Sequence, residues 1–441
     1  MKRVKARAAM TLVFAAMIIV GLCIYVLRLA DDGEMWATAR FNTHLYSSGI
    51  SSIGTVKDRN GVVLADADGD ERSYASDTAV RTACLHAVGD YSGNIGTGAL
   101  SAFAGKMSGY DMINGLYNAS GESVITLSID SELCAAAYSA LAGRKGAVLV
   151  SDYKTGEMLC MVSSGSYDPE NGAPDITDSA YEGVFVNRAI SSVYTPGSVF
   201  KLVTVAAAIE TMPDLFERSF RCDGSVEIDG RVITCSGTHG SQTIEQALAN
   251  SCNCAFAELA LELGADVIAE YAEKYGLTDS HELSGIRTAA GSYEKAEKGS
   301  AELAWSGIGQ YTDLVSPYAM LRLVSAAANG GTLIEPVLTA GERSRKTPLM
   351  TAETAQTLKE LMANNVSYAY GPWNFPGLKL CAKTGTAEVG DGTSHSWFVG
   401  FVDDDEHPLA FTAVIEHGGS GLTNAGSAVN TVLQAAVRLG Y

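Results

Sequence analysis

An uncharged stretch from Ala9 to Leu27 follows a tail that carries Lys2, Arg3, Lys5 and Arg7. No other feature restricts the architecture as strongly, because so long an apolar run needs an apolar environment of its own. At ~1.5 Å per helical residue it reaches about 28 Å, close to the ~30 Å of a bilayer's hydrocarbon. Basic residues ahead of it are expected to keep the tail in the cytoplasm and everything beyond it outside. A cleaved signal peptide is the rival reading. Against it, the run is long, and Arg28-Leu29-Ala30-Asp31 offers no small-x-small cleavage site. A lipid anchor on Cys23 is disfavoured by Leu22, where a small residue would be wanted. Residues 1–8 are therefore expected to be a cytoplasmic tail and 9–29 a transmembrane anchor.

The formal net charge is −19 over 441 residues, basic tail included. The part beyond the span is thus more acidic still, which speaks against nucleic acid or an anionic membrane surface as a partner. Its length suggests two or more domains. Nine cysteines are present. None shows zinc-ligand spacing with histidine, since Cys252-x-Cys254 is too short and has no second pair nearby. Cys222 and Cys235 bracket an expected hairpin at Asp229-Gly230 and could form a disulfide. Cys252, Cys254 and Cys381 read as small buried residues.

Ser198-Val199-Phe200-Lys201 carries the chemistry. It follows Pro196-Gly197 and heads the run Leu202 to Ile209, a helix apolar nearly all round and hence buried. At i and i+3 the lysine amine can reach the serine oxygen, and a desolvated lysine can take the serine proton. The first helical turn adds free N–H groups and the positive dipole end. Two decoys lack these surroundings. Ser151/Lys154 lies in a polar turn, and Ser292/Lys295 in a charged, exposed stretch. Ser251-Cys252-Asn253 falls between two helical stretches, on a tight connection where polar side chains can face a cleft. Lys383-Thr384-Gly385-Thr386 lies in a strand, where Gly385 lets another backbone approach closely. The decoy Lys154-Thr155-Gly156 reads as a hairpin turn.

The order Ser-x-x-Lys, Ser-x-Asn, Lys-Thr-Gly resembles the penicillin-binding proteins and serine β-lactamases. Flanking residues are similar to class B penicillin-binding proteins: Asn187-Arg188-Ala189-Ile190, Thr195-Pro196-Gly197, Ser166-Tyr167-Asp168-Pro169, Gly309-Gln310, Ser316-Pro317, Asn329-Gly330-Gly331 and Trp397-Phe398-Val399-Gly400-Phe401. Near the N-terminus, Val56 to Ala65 is similar to the hairpin that opens their extracellular pedestal, with Ile53-Gly54 in place of the usual Arg-Gly. The resemblance implies an α/β fold, an antiparallel sheet flanked by helices, behind a smaller pedestal over 30–140. The transpeptidase domain is expected over 141–441. Strands are expected near 146–151, 157–163, 378–388, 396–402 and 408–416, with helices at 131–141, 318–328 and 425–439.

The resemblance further implies a peptidoglycan D,D-transpeptidase, inhibited by β-lactams, that joins stem peptides ending in D-Ala-D-Ala. Ser198 would be the nucleophile and Lys201 its base. Ser251 would relay a proton, with Lys383 keeping that network electropositive. Asn253 would hold the substrate amide. Thr384, Gly385 and Thr386 would line the carboxylate and oxyanion sites. No metal or organic cofactor is required. A membrane-embedded glycosyltransferase, or another division or elongation partner, is expected alongside. The bland readings are a solvated Lys383, a helix-capping Asn253 and a core Trp397; His395 is given no role. Rival functions are a D,D-carboxypeptidase or β-lactamase of the same superfamily, or a non-catalytic β-lactam sensor or scaffold.

Overall fold

The computed structural model describes residues 2–38, 54–68, 71–107, 109–111, 115–117 and 123–441. Ile53 and other parts of the expected pedestal lie outside the described residues. Helix α1 (Lys2–Thr38) contains a segment, Val4–Gly33, whose 18-residue apolar stretch has a mean hydropathy of 2.7, long and apolar enough to cross a membrane. Its large side chains, such as Leu12 and Ile18, are exposed and not packed into a core.

A small sheet follows: β1 (Gly54–Lys57), β2 (Val63–Asp68), β3 (Glu71–Tyr74) and β4 (Val124–Thr126), in the order β3-β2-β1-β4. It is mixed, because β1 runs antiparallel to β2 but parallel to β4. The expected hairpin is present. Asp58 organises its turn, one carboxylate oxygen accepting from Asn60 N and Val62 N. The other oxygen accepts from Ser131 N and Oγ, which ties the turn to α2 (Ser131–Leu141). Asp130 caps that helix at Leu133 N. Val56 and Ile125 share one continuous apolar core with Leu133 and Val148.

The main sheet has five strands: β5 (Gly146–Asp152), β6 (Met158–Ser163), β7 (Leu380–Glu388), β8 (Ser394–Val402) and β9 (Leu409–Ile415). Their order is β7-β8-β9-β5-β6, and every neighbouring pair is antiparallel. Pairing of β9 with β5 closes the sheet between segments far apart in sequence. β6 and β9 are buried along their whole length, so they read as continuous apolar runs without alternation. Helix α2 and the last helix, α7 (Ser427–Leu439), pack together on one face. On the other face lies α5 (Pro317–Ala328), capped by Ser316 and buried at all twelve residues.

Three helices lie between β6 and β7 beside the site: α3 (Lys201–Thr211), α4 (Asn253–Leu263) and α6 (Ala352–Asn365). Lys201 through Ala208 of α3 are all buried, as the apolar circumference of that helix requires. Helix α7 begins two residues later than its pattern suggests, because Gly421–Gly426 forms a π-helical turn first.

Candidate active site

The Ser198 turn is built by close backbone approach. Gly197–Val199 is a single 3-10 turn leading into α3, so Ser198 sits where helical N–H groups have no intrahelical acceptor. Gly197 N donates to Gly309 O at 2.8 Å. Trp397, fully buried, donates from Nε1 to Thr195 O at 3.0 Å. A Cβ on Gly385 would stand 3.0 Å from Pro196 O. The glycine of the Lys-Thr-Gly stretch thus lets β7 press against the serine turn, and Trp397 takes its core reading.

Gly309 is the tightest of these contacts. Its φ is +77°, and a Cβ there would lie 2.1 Å from Gly197 O. Gly309→Ala is therefore expected to cost roughly 2–4 kcal/mol, from left-handed strain and overpacking together. It should also slow covalent labelling by penicillin, because the displaced carbonyl belongs to the residue before Ser198. Thermal unfolding and labelling kinetics on one preparation check both effects.

An open cleft is lined by Ser198, Asn253 and Thr386, together with Thr234, Trp305, Ile308, Gln310 and Glu388. The lysines lie beneath it, both fully buried. Lys201 Nζ donates to Ser251 O (2.6 Å), Asn253 Oδ1 (2.8 Å) and Ser251 Oγ (3.3 Å). Lys383 Nζ donates to Ser251 Oγ and Thr384 O, both at 2.9 Å. Ser251 Oγ therefore bridges the two amines. The direct Lys201–Ser198 hydrogen bond that the i, i+3 spacing allows is not made among the described residues. An ammonium has three donors, and the Ser251–Asn253 loop satisfies all of them.

Burial lowers the pKa of both amines. Lys201 falls to about 8 through desolvation. Lys383 falls well below the usual lysine range through desolvation first and the Lys201 charge second. No carboxylate lies within ion-pair distance of either among the described residues. Two such groups on one hydroxyl hold one proton between them more readily than two. The solvated reading of Lys383 is excluded by its burial.

The loop itself is strained. Ser251 has φ +51°, the left-handed region that costs a non-glycine residue about 1–2 kcal/mol. Asn253 opens α4 but does not cap it; its side chain spans from Lys201 Nζ to Thr234 O (2.8 Å). On β7, Thr384 N donates to Tyr370 OH at 3.1 Å. Antiparallel alternation then turns the Thr386 N–H to the same outer edge. Since β7 is an edge strand, an extended peptide can lie along it.

Several contributors escaped the sequence reading. Tyr370, on a π-helical turn (Val366–Tyr370), supports Thr384. Arg188 Nε pairs with Glu416 Oε1 at 2.7 Å, and Tyr194 OH donates to the same oxygen at 2.8 Å, which accounts for the Asn-Arg-Ala-Ile stretch as scaffold. His395 packs edge-on against Tyr194. The disulfide that Cys222 and Cys235 could form is not present, all nine cysteines being free. The hairpin they bracket does turn at Asp229 and Gly230, both with positive φ. However, its closing end brings Cys235 against Cys252 and His239. Cys252, Cys254 and Cys381 are buried, as their reading anticipates.

Comparison with known proteins gives consistent matches. The profile of the penicillin binding protein transpeptidase domain matches residues 146–436. The peptidoglycan D,D-transpeptidase PbpA of Mycobacterium tuberculosis is 29% identical over 327 residues, covering 66% of this chain and 66% of PbpA; the chain thus spans about two thirds of that relative. The D,D-transpeptidase domain of a peptidoglycan glycosyltransferase from Eggerthella lenta superposes with a TM-score of 0.74 at 28% identity, covering 88% of this chain and 99% of that one. Penicillin-binding protein A from M. tuberculosis, solved as a ceftriaxone acyl-enzyme, shares the fold with a TM-score of 0.75 at 23% identity over 87% of this chain and 98% of its own.

Proposed function

Because the chain belongs to the penicillin-binding protein transpeptidase family, on its class B branch, we propose that it is a membrane-anchored peptidoglycan D,D-transpeptidase acting through a Ser198 acyl-enzyme. One observation carries the reading. A nucleophile on a constrained turn and an edge strand line one cleft, and two buried amines share Ser251 Oγ next to the Asn253 that lines it. In this mechanism the Ser198 hydroxyl attacks the penultimate D-Ala carbonyl of a stem peptide. Its proton passes to a neutral Lys201. The oxyanion is met by the N–H groups of Ser198 and Thr386. Ser251, fed by the amines on either side of it, protonates the departing D-Ala nitrogen. Asn253 holds the substrate amide, and Thr384 and Thr386 hold the terminal carboxylate. An amine of a second stem peptide then displaces Ser198, which closes the cross-link and restores the hydroxyl. A β-lactam enters the same first step and stays attached.

The apolar α1, with its basic start, supports a single-pass anchor with the tail cytoplasmic and the catalytic domain outside. Anchor, pedestal over 30–140 and transpeptidase domain over 141–441 together suit a partner in the membrane, such as a glycosyltransferase or another component of division or elongation. Product analysis tests the reaction. With uncross-linked glycan bearing stem peptides, the full chain in detergent is expected to yield cross-linked dimers. Release of D-Ala without dimers would make it a carboxypeptidase; neither product would favour a scaffold.

A further inference from the structure

Four side chains from three separated segments converge behind the cleft wall. Cys222 ends the strand Phe220–Cys222, Cys235 follows the hairpin strand Arg231–Thr234, His239 precedes the strand Gly240–Gln242, and Cys252 stands between Ser251 and Asn253. Their ligand atoms all lie within 4.8 Å of one another. Cys235 Sγ is 3.6 Å from His239 Nδ1 and 3.8 Å from Cys252 Sγ. A tetrahedral zinc ion with Zn–S of ~2.3 Å and Zn–N of ~2.0–2.1 Å sets its ligands ~3.8 Å apart for two sulfurs and ~3.6 Å for sulfur and nitrogen. A disulfide would need ~2.05 Å.

We propose that Cys222, Cys235, His239 and Cys252 bind a structural zinc ion that fixes the Ser251–Asn253 loop against the hairpin. Three thiolates and one imidazole select a soft-tolerant tetrahedral ion over magnesium or calcium. Four protein ligands leave no open position, so the ion braces the loop and does no chemistry on substrate. Each thiol releases its proton to solvent on binding, and His239 binds as the neutral ring through Nδ1. An outer contact is in place: Asn253 N donates to Cys235 Sγ at 3.3 Å. The brace acts where the loop needs one. Ser251 holds a left-handed backbone, and the Asn253 amide reaches Thr234 O on the segment that carries Cys235. The expectation that no cysteine has zinc-ligand spacing with histidine is corrected: Cys235-x3-His239 is such a pair, and only Cys222 and Cys252, which complete the set, are brought in by the fold.

The loop-positioning half rests on the acyl-transfer reading above; the metal half does not. The test uses the full chain in detergent, purified reduced and without chelator, with elemental analysis for zinc. About one zinc per chain is expected. Cys222→Ser and His239→Asn should lower it, and Cys84→Ala should leave it unchanged. Cobalt(II) added to stripped protein should give a tetrahedral thiolate spectrum, a readout independent of activity. Stripping should slow fluorescent-penicillin labelling roughly 10–100-fold, with recovery on adding zinc. A reduced full chain that binds neither zinc nor cobalt overturns the site, as does a Cys235–Cys252 disulfide in its place. Bound zinc with unchanged labelling of the stripped protein overturns the positioning role. Bound zinc with no labelling of either form leaves the site standing and counts against the acyl-transfer reading.

Discussion

Ser198→Ala is expected to abolish covalent capture of a penicillin while leaving the protein folded. The loss follows from chemistry, since no other hydroxyl on the cleft wall stands at the head of a buried helix against an edge strand. In an enzyme whose catalytic groups act as a unit, removing the nucleophile lowers turnover by as much as ~10⁶-fold. The fold should tolerate the change. Ser198 is only partly buried, and its hydroxyl makes no hydrogen bond among the described residues. The neighbouring turn is held by backbone contacts to Gly309 and by Trp397. Gel fluorescence with a labelled penicillin and a thermal melt check both statements. Retained labelling would move the nucleophile elsewhere.

Lys383→Met is the second large effect, and it should separate activity from stability. Methionine fills a similar volume without a charge. The wild-type amine is fully buried, has no carboxylate partner among the described residues and sits beside a second amine. Its removal takes a donor from both Ser251 Oγ and Thr384 O, a loss of about 1 kcal/mol each, but also removes the desolvation of an amine. The unfolding midpoint is therefore expected to stay level or rise, while acylation falls roughly 10²–10⁴-fold. The pH dependence gives an independent sign. An amine whose folded pKa lies below its unfolded value of ~10.4 is protonated more in the unfolded chain. Stability of the wild type should therefore rise as pH climbs from neutrality toward about 10, and less steeply in the variant. Denaturant unfolding across that range measures the difference. A strongly destabilised Met variant would mean that the amine is held as a favourable charge.

Much of this was legible in the residues. The five strands of the main sheet fall within two residues of their pattern boundaries, because β-branched and apolar runs bounded by turn residues leave little choice. The helix from Pro317 carries its own start and stop signals. The loose segment after β3 did not yield to such reading. Its helices, such as Thr78–Ala83 and Ala99–Ala102, are too short to show a period. The π-helical turns at 366–370 and 421–426 have no hydrophobic signature of their own.

In the site, the three motifs announced the groups but not their wiring. That Lys201 bonds the Ser251–Asn253 loop in preference to Ser198 follows from where three acceptors lie, a tertiary fact. The convergence of Cys222, Cys235, His239 and Cys252 depends on the pairing of Phe220–Cys222 with Gly240–Gln242, which brings two loops together that spacing alone keeps apart. Arg188 and Glu416 meet for a similar reason, through the close packing around β9.

The most direct measurement is peptide mapping of the penicillin adduct by mass spectrometry on the full chain. The adduct mass is expected on the peptide containing Ser198, on its side-chain oxygen, at one per chain. An adduct on any other residue, or none under conditions where the protein is folded, would contradict a Ser198 acyl-enzyme and with it the proposed transpeptidase.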